Sequence, residues 1–182
     1  MKNNYPPRRL AEAALIAAMY TTLCIVLANV SFGPVQFRLA EALTILPVFA
    51  PASAIPGLAV GCFLSNLYGL FTHTNPLGPW DLLVGTLATL VAAVLTWRLR
   101  NWRLTAEPHG WRFILSLPVI ATLPPVAVNA FVIGPELYFA FGGPLWGWIG
   151  EVALTQFAMC TIGGLVLYTA LKRTGADKRI FA

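Results

Sequence analysis

Long apolar runs separated by short polar segments dominate the chain. An α-helix needs about 20 predominantly apolar residues to cross a bilayer, and most of these runs have that length. The pattern predicts an all-α, polytopic membrane protein in which residues 1–182 form a single membrane domain with six transmembrane helices. The predicted helices cover about residues 10–30, 38–49, 54–71, 80–99, 111–133 and 145–171. The second is short and ends among prolines, so we expect it to be surrounded by protein.

The composition excludes several other classes of protein. Apolar residues make up 58% of the chain and charged residues only 10%, whereas soluble domains are about 25% charged. Six helices leave too few residues for a separate nucleotide-binding or catalytic domain. The net charge of +5 is typical of membrane proteins with basic cytoplasmic loops, so we expect no nucleic-acid partner.

The basic residues are distributed very unevenly between the two sides of the predicted bundle. Both termini and the loop after residue 99 would share one side, and that side carries 11 of the 12 Lys and Arg residues. The other side carries only Arg38. Because cytoplasmic loops are enriched in Lys and Arg, we predict that both termini are cytoplasmic.

Polar residues within the predicted helices cluster at one depth, in the outer third of the membrane. They come from five helices and are Glu41, Asn66, Asp81, Asn129 and Glu151. Charged groups in hydrocarbon cost free energy and usually mark functional sites. The cluster therefore predicts an outward-opening pocket for a cationic or donor-rich ligand.

A structural alternative remains for the same residues. Arg38 and Glu41 are three residues apart on one helix, which is a spacing that permits an ion pair. The asparagines could then serve to hold neighbouring helices together. This pairing would leave Asp81 and Glu151 without an evident basic partner.

Two further features are candidates for binding surfaces. Trp80 is expected at the outer boundary, where its ring could stack on a planar ligand. The first helix carries two pairs of small residues four apart, which allow another helix to approach closely. These pairs are Ala13 with Ala17, and Ala14 with Ala18.

Motifs for catalysis, metal binding and ATP binding are missing from the sequence. The chain has no Walker A sequence and no HExxH or GxSxG motif. His73 and His109 are predicted on opposite sides of the membrane, so they cannot share a metal or a haem. We therefore expect no catalytic residue, metal or cofactor. An integral-membrane enzyme that uses Glu41, Asp81 and Glu151 as acid and base groups is the alternative.

Three segments resemble the QueT family of queuosine-precursor transporters. They are VQFRLAEALTILP at residues 35–47, AIPGLAVGCFLSN at residues 54–66, and WDLLVGTLAT at residues 80–89. Members of this family are substrate-binding (S) components of energy-coupling factor (ECF) importers. The similarity extends from the alanine-rich first helix to the sixth. The Arg-x-x-Glu-Ala-Leu-Thr segment is fairly specific to this family, whereas the Ala-x-x-x-Ala pair is shared more widely among S components.

This resemblance implies a function and a set of partners. It implies a protein of the bacterial cytoplasmic membrane that works with a transmembrane T component and two ATPase subunits. The alanine pairs would contact the T component, and the ligand would be a 7-deazaguanine bound near the outer face. An S component for another vitamin or small nutrient is an alternative. The site residues expected around the ligand are Arg38, Glu41, Asn66, Trp80, Asp81, Asn129 and Glu151.

The chemistry of a deazaguanine suits these residues. Its ring N–H and exocyclic amine lie side by side, and a carboxylate can accept a hydrogen bond from each. An aminomethyl substituent would be a cation and would suit a second carboxylate. Asn66 and Asn129 offer donors and acceptors for the carbonyl and ring nitrogens. The sequence does not distinguish the cyano base, the aminomethyl base, queuine or its nucleoside.

Overall fold

A computed structural model describes residues 6–33, 36–100 and 116–177, and within these ranges all regular secondary structure is helical. Short helical turns at Ala28–Ser31 and Leu117–Ile120 accompany the main helices. The main helices are α1 (Pro6–Val26), α2 (Leu39–Val48), α3 (Pro51–Phe71), α4 (Pro79–Leu99), α5 (Leu123–Phe141) and α6 (Leu145–Thr174). All except α2 belong to segments long and apolar enough to cross a membrane. The prediction of an all-α, polytopic membrane protein is confirmed.

The central helix α2 is a 3₁₀-helix of ten residues. Its rise of about 2 Å per residue gives it a length near 20 Å, more than an α-helix of ten residues would reach. Pro47 lies inside it and lacks a backbone N–H. Seven of its residues are buried, and it contacts α1, α3, α4 and α6. As expected, protein surrounds this short helix.

Helix α5 ends later than the sequence predicts. It continues to Phe141 with Pro135 inside it, whereas the predicted helix stops at Ile133. Glycine and proline are tolerated in membrane helices because neighbouring groups satisfy the freed backbone atoms. The consequence is that Glu136 lies within a helix and not in an outer loop. The predicted start of this helix, residues 111–115, falls outside the described residues.

Glycines allow α1 and α3 to pack closely and in parallel. A Cβ at Gly57 would lie 2.7 Å from the carbonyl oxygen of Ala13, and one at Gly61 would lie 2.7 Å from Cβ of Tyr20. Neither position has room for a side chain. Small residues at a helix crossing bring the two backbones together in this way.

The described part of the bundle alternates in direction, so α1 begins and α6 ends at the same end of the molecule. Arg98, near the end of α4, marks this end, and Trp80, at the start of α4, marks the opposite one, called here the Trp80 end. Six of the seven described basic residues lie at the Arg98 end: Arg8, Arg9, Arg98, Arg100, Lys172 and Arg173. The cytoplasmic location of that end, like the count of six membrane spans, remains a prediction. The other predicted members, Lys2, Arg103, Arg112, Lys178 and Arg179, lie outside the described residues, as does His109.

Helix α6 changes its winding where it meets α2. Residues Phe157–Gly163 form a π-helical segment that packs against α2. A Cβ at Gly163 would lie 3.0 Å from Cβ of Ala42. π-helical segments are rare and often occur at functional sites. This one follows Gln156, whose side chain accepts a hydrogen bond from Asn129.

Candidate ligand-binding site

A buried ion pair joins Arg38 to Asp81. Nη2 of Arg38 donates to Oδ2 of Asp81 at 2.6 Å, and Nδ2 of Asn75 donates to the same oxygen at 2.7 Å. Arg38 also donates from Nε to the carbonyl of Ser31 at 3.3 Å. Arg38 is 4% exposed and Asp81 is fully buried.

The alternative in which Arg38 pairs with Glu41 is therefore not what forms, and the expectation that Asp81 lacks a basic partner is wrong. The i, i+3 argument requires both residues to be helical. Arg38 instead precedes the first turn of α2 in an extended conformation, with φ −91° and ψ 101°. Its side chain consequently reaches the first turn of α4.

Glu41 has a different partner, on α1. The Tyr20 hydroxyl donates to Oε1 of Glu41 at 2.6 Å, and both side chains are buried. Oε2 of Glu41 has no hydrogen-bond partner among the described residues. The Asn129 side chain faces this carboxylate from α5. One oxygen of Glu41 is therefore held in place and the other remains an unused acceptor.

Asn66 adds a second unused acceptor from α3. Its Nδ2 donates to the backbone carbonyl of Asp81 at 2.7 Å, while its Oδ1 has no partner in the described part of the chain. Oδ1 of Asp81 is likewise buried and unpartnered there. Three buried acceptor oxygens, one each on α2, α3 and α4, are thus left without a donor among the described residues.

Gly85 makes room for this arrangement. It lies one helical turn after Asp81, and a Cβ there would collide with Oδ1 of Asp81 and lie 3.0 Å from Nδ2 of Asn66. A glycine is needed at this point because the carboxylate folds back over the helix.

The structure brings together most of the predicted site residues but not all of them. Asn129 joins the cluster and donates from Nδ2 to Oε1 of Gln156 at 2.9 Å. Glu151 is half-buried, and its carboxylate forms no hydrogen bond or ion pair with the described residues. Trp80 lies at the surface and is 71% exposed. We call Arg38, Glu41, Asn66, Asp81 and Asn129 the polar cluster.

Sequence reasoning missed three contributors to the polar cluster. Tyr20 and Gln156 lie within predicted helices, where a buried hydroxyl or amide needs a partner. Their position in these helices could therefore have indicated that they contact other polar residues. Asn75 lies in the segment between α3 and α4, and nothing in its local sequence indicates that it contacts Asp81. Its contact depends on the path of that segment back over the bundle.

A cavity of about 580 Å³ opens between α4 and α5 near the polar cluster. Its lining is mostly apolar and aromatic. The lining residues are Leu77, Trp80, Val84, Val132, Pro135, Glu136, Phe139 and Ala140. Glu136 is the only charged residue among them. The cavity shares helix α4 with the polar cluster, since Asp81 follows Trp80 directly.

The two alanine pairs of α1 face different ways. Ala17 is 5% exposed and its carbonyl would lie 3.1 Å from a Cβ at Gly61, while Ala13 is half-buried against Gly57. Ala14 and Ala18 are exposed. The first pair is thus used inside the chain, and only the second pair presents a free small-residue face.

Within residues 6–33, 36–100 and 116–177, no three or more His, Cys, Asp or Glu side chains come together as a group that could hold a metal ion. His73 is exposed. Cys24, Cys62 and Cys160 are buried, free thiols.

Comparison with known proteins gives two concordant matches. The family model described as QueT transporter matches residues 10–173. The protein named "Queuosine precursor transporter QueT" from Lactococcus lactis subsp. cremoris (strain MG1363) is 30% identical over 167 residues, which cover 91% of this chain and 93% of that relative. No solved structure matches the chain significantly.

Proposed function

Because the chain belongs to the QueT transporter family, we propose that it is the substrate-binding component of an ECF importer and captures a queuosine precursor at the outer face. Family membership confirms the resemblance seen in the sequence. The protein is a multi-pass transporter of the bacterial cell membrane, not an enzyme. We propose three further properties: the capture of a queuosine precursor, the role of S component, and the partner subunits.

The three unpartnered oxygens of the polar cluster carry this proposal. Oε2 of Glu41, Oδ1 of Asn66 and Oδ1 of Asp81 are buried and accept no hydrogen bond from the described residues. A buried acceptor without a donor costs free energy, and two of these belong to carboxyl groups. A ligand rich in N–H groups would satisfy all three.

A 7-deazaguanine supplies donors of this kind. Its ring N–H and exocyclic amine form one edge, and its pyrrole N–H lies on the opposite side of the ring system. We assign Glu41 to the guanine edge, because Tyr20 fixes one oxygen of its carboxylate and leaves the other free. Asn66 and Asp81 then serve the remaining donors, while Asn129 stays near the ring.

Arg38 supports the cluster without facing the ligand. Its guanidinium is committed to the carboxylate of Asp81 and to the Ser31 carbonyl. Trp80 at the mouth of the cavity is suited to cover the planar face of the base. Glu151 remains a predicted contact, and the variants below test whether it binds the ligand.

The energy for uptake must come from partner subunits in this proposal. The sequence contains no ATP-binding motif, so two ATPases and a transmembrane T component would couple ATP hydrolysis to transport. We assign the T-component contact to the exposed pair Ala14 and Ala18. These residues lie towards the Arg98 end of α1, the end predicted to be cytoplasmic.

Binding by the isolated protein tests the proposal. The full-length chain, purified in nanodiscs, is titrated calorimetrically with 7-aminomethyl-7-deazaguanine, 7-cyano-7-deazaguanine, queuine, guanine and one unrelated vitamin such as riboflavin. We expect at least one of the three deazaguanines to bind more tightly than guanine and the vitamin, and mass spectrometry to recover it unchanged. Absence of binding by all three deazaguanines, or chemical conversion of one of them, would contradict the proposal.

A further inference from the structure

The cavity between α4 and α5 contains one ionisable side chain in an otherwise apolar lining. Its walls include Leu77, Val84 and Val132 along the helices, with the rings of Trp80 and Phe139 beside them. Trp80 is 71% and Phe139 is 83% exposed, so the rings flank an opening and not a closed core. At about 580 Å³, the space is large enough for a compact heterocyclic ligand.

Glu136 is the charged residue in the cavity lining, and its carboxylate has no hydrogen-bond partner among the described residues. Neither Oε1 nor Oε2 is exposed to solvent, and neither accepts a hydrogen bond from the residues that the structure describes. A desolvated carboxylate with two unused oxygens is costly. The other residues in the cavity lining are uncharged and mostly apolar.

The surrounding charges favour a cation as the missing partner. Asp81 and Arg38 both lie within electrostatic range of Glu136, but Arg38 is already bonded to Asp81. Of these two groups, Arg38 is therefore not available to pair with Glu136. An uncharged donor would satisfy hydrogen bonding at Glu136, whereas a protonated amine would form the stronger, charge-assisted hydrogen bond with it. Aromatic faces such as that of Trp80 further stabilise a cation beside them.

We propose that Glu136 binds a protonated amine on the ligand's substituent, so that the cavity selects 7-deazaguanines with an amine over those with a neutral substituent. This inference rests on the proposed function, because it assumes that the base itself is read by the polar cluster. The base would extend from the cluster past Asp81, and the substituent at its five-membered ring would lie between α4 and α5. The aminomethyl base carries such an amine, and the cyano base does not.

A pair of ligands that differ only in this group tests the inference. Calorimetric titrations in nanodiscs use 7-aminomethyl-7-deazaguanine and 7-cyano-7-deazaguanine with the parent protein, Glu136→Gln and the control Glu12→Gln. Glu12 is a carboxylate at the opposite end of the bundle, bonded to Arg8 and Ser53, and should leave both affinities unchanged. We expect the parent to bind the aminomethyl base at least about tenfold more tightly, the scale of one charged hydrogen bond.

Glu136→Gln should abolish that preference selectively. Affinity for the aminomethyl base should fall by about tenfold or more, while affinity for the cyano base should stay within about threefold. Equal binding of the two bases by the parent would overturn the inference and leave the proposed function standing, even if the variant failed to fold. Equal losses for both bases in a folded variant would also overturn it. Binding of neither base, nor of queuine, by the parent would overturn the proposed function and the inference with it.

Discussion

Arg38 and Asp81 lie 43 positions apart in the chain, yet their side chains form an ion pair of 2.6 Å between Nη2 and Oδ2 in the interior of the bundle. The pair connects the beginning of α2 to the first turn of α4. Asn75 donates to the same carboxylate oxygen, so three separate segments meet at Asp81. The geometry of the candidate site depends on this connection.

Breaking the pair should destabilise the protein. Asp81→Asn leaves the Arg38 guanidinium buried without a counter-charge, which typically costs about 3–5 kcal/mol. We expect a clearly lower apparent melting temperature in detergent. It is measured from the fluorescence of a thiol-reactive dye, which labels the buried cysteines as unfolding exposes them. From the sequence alone, folding is expected to survive this substitution, because removing a charge from the membrane lowers an insertion cost.

The matched control for this prediction is the double variant Arg38→Gln with Asp81→Asn. It removes both charges and should be more stable than Asp81→Asn alone, since neither variant side chain carries an unpaired charge. An unchanged melting temperature for Asp81→Asn would contradict the structural role of the pair.

Ligand affinity should depend more on Glu41 than on Glu151. Glu41→Gln replaces an acceptor oxygen with a donor or reorients the amide away from Tyr20, and loss of a charged hydrogen bond costs about 1.5–3 kcal/mol. We expect at least about a tenfold loss of 7-deazaguanine affinity in calorimetric titration. Glu151→Gln should have a smaller effect, because its carboxylate makes no contact with the polar cluster in the described part of the chain.

The same titrations decide the role of Glu151 directly. An effect of Glu151→Gln as large as that of Glu41→Gln would restore the sequence-based prediction that both carboxylates bind the ligand. Tyr20→Phe should cause an intermediate loss of ligand affinity. It removes the 2.6 Å hydrogen bond to Glu41 but retains the carboxylate, so its loss of affinity should be smaller than that of Glu41→Gln.

Gly85→Ala should disturb the site without changing any polar group. The added Cβ would collide with Oδ1 of Asp81, and the carboxylate cannot move freely because Arg38 and Asn75 hold its other oxygen. We expect a lower melting temperature and a weaker 7-deazaguanine affinity. Gly150→Ala is the matched control, since no atom lies within 4 Å of a Cβ there. Equal behaviour of the two variants would show that the space beside Asp81 is not needed.

Bulky substitutions on α1 should have opposite consequences on its two alanine faces. Ala17→Trp should prevent folding, because Ala17 is packed against Gly61 of α3. Ala18→Trp should fold and retain ligand affinity but lose copurification with the T component and ATPases. Leu83→Trp, on an exposed position of α4 that is 62% accessible, is the control for a bulky surface residue. Normal recovery of the complex with Ala18→Trp would refute the assigned contact.

Thiol labelling tests the orientation of the protein in the membrane. The three native cysteines are buried and can be replaced, after which His73→Cys and Arg100→Cys each introduce one exposed thiol. In intact cells, an impermeant reagent should label position 73 but not position 100. The reverse pattern would invert the orientation and would place the polar cluster near the cytoplasm.

The sequence by itself determined the class of the protein and the depth of its polar residues. Apolar runs of membrane-spanning length leave little choice other than helices, because backbone groups in lipid must be satisfied internally. Depth follows from position along each helix. Glu41, Asn66, Asp81 and Asn129 were therefore assigned to one level from sequence alone, and the structure brings them together. The basic residues that it describes likewise gather at one end, apart from Arg38.

Only the tertiary structure decided which of these groups meet and which surfaces remain free. Partner choice depends on the rotation of each helix about its axis and on backbone outside the helices, and neither follows from a hydrophobic pattern. The extended conformation of Arg38 directs it to Asp81 and leaves Glu41 to Tyr20. The continuation of α5 through Pro135 turns Glu136 from a loop residue into part of a cavity wall. The crossing of α1 and α3 buries one alanine face and leaves the other exposed, because only one side of a helix can pack against a given neighbour.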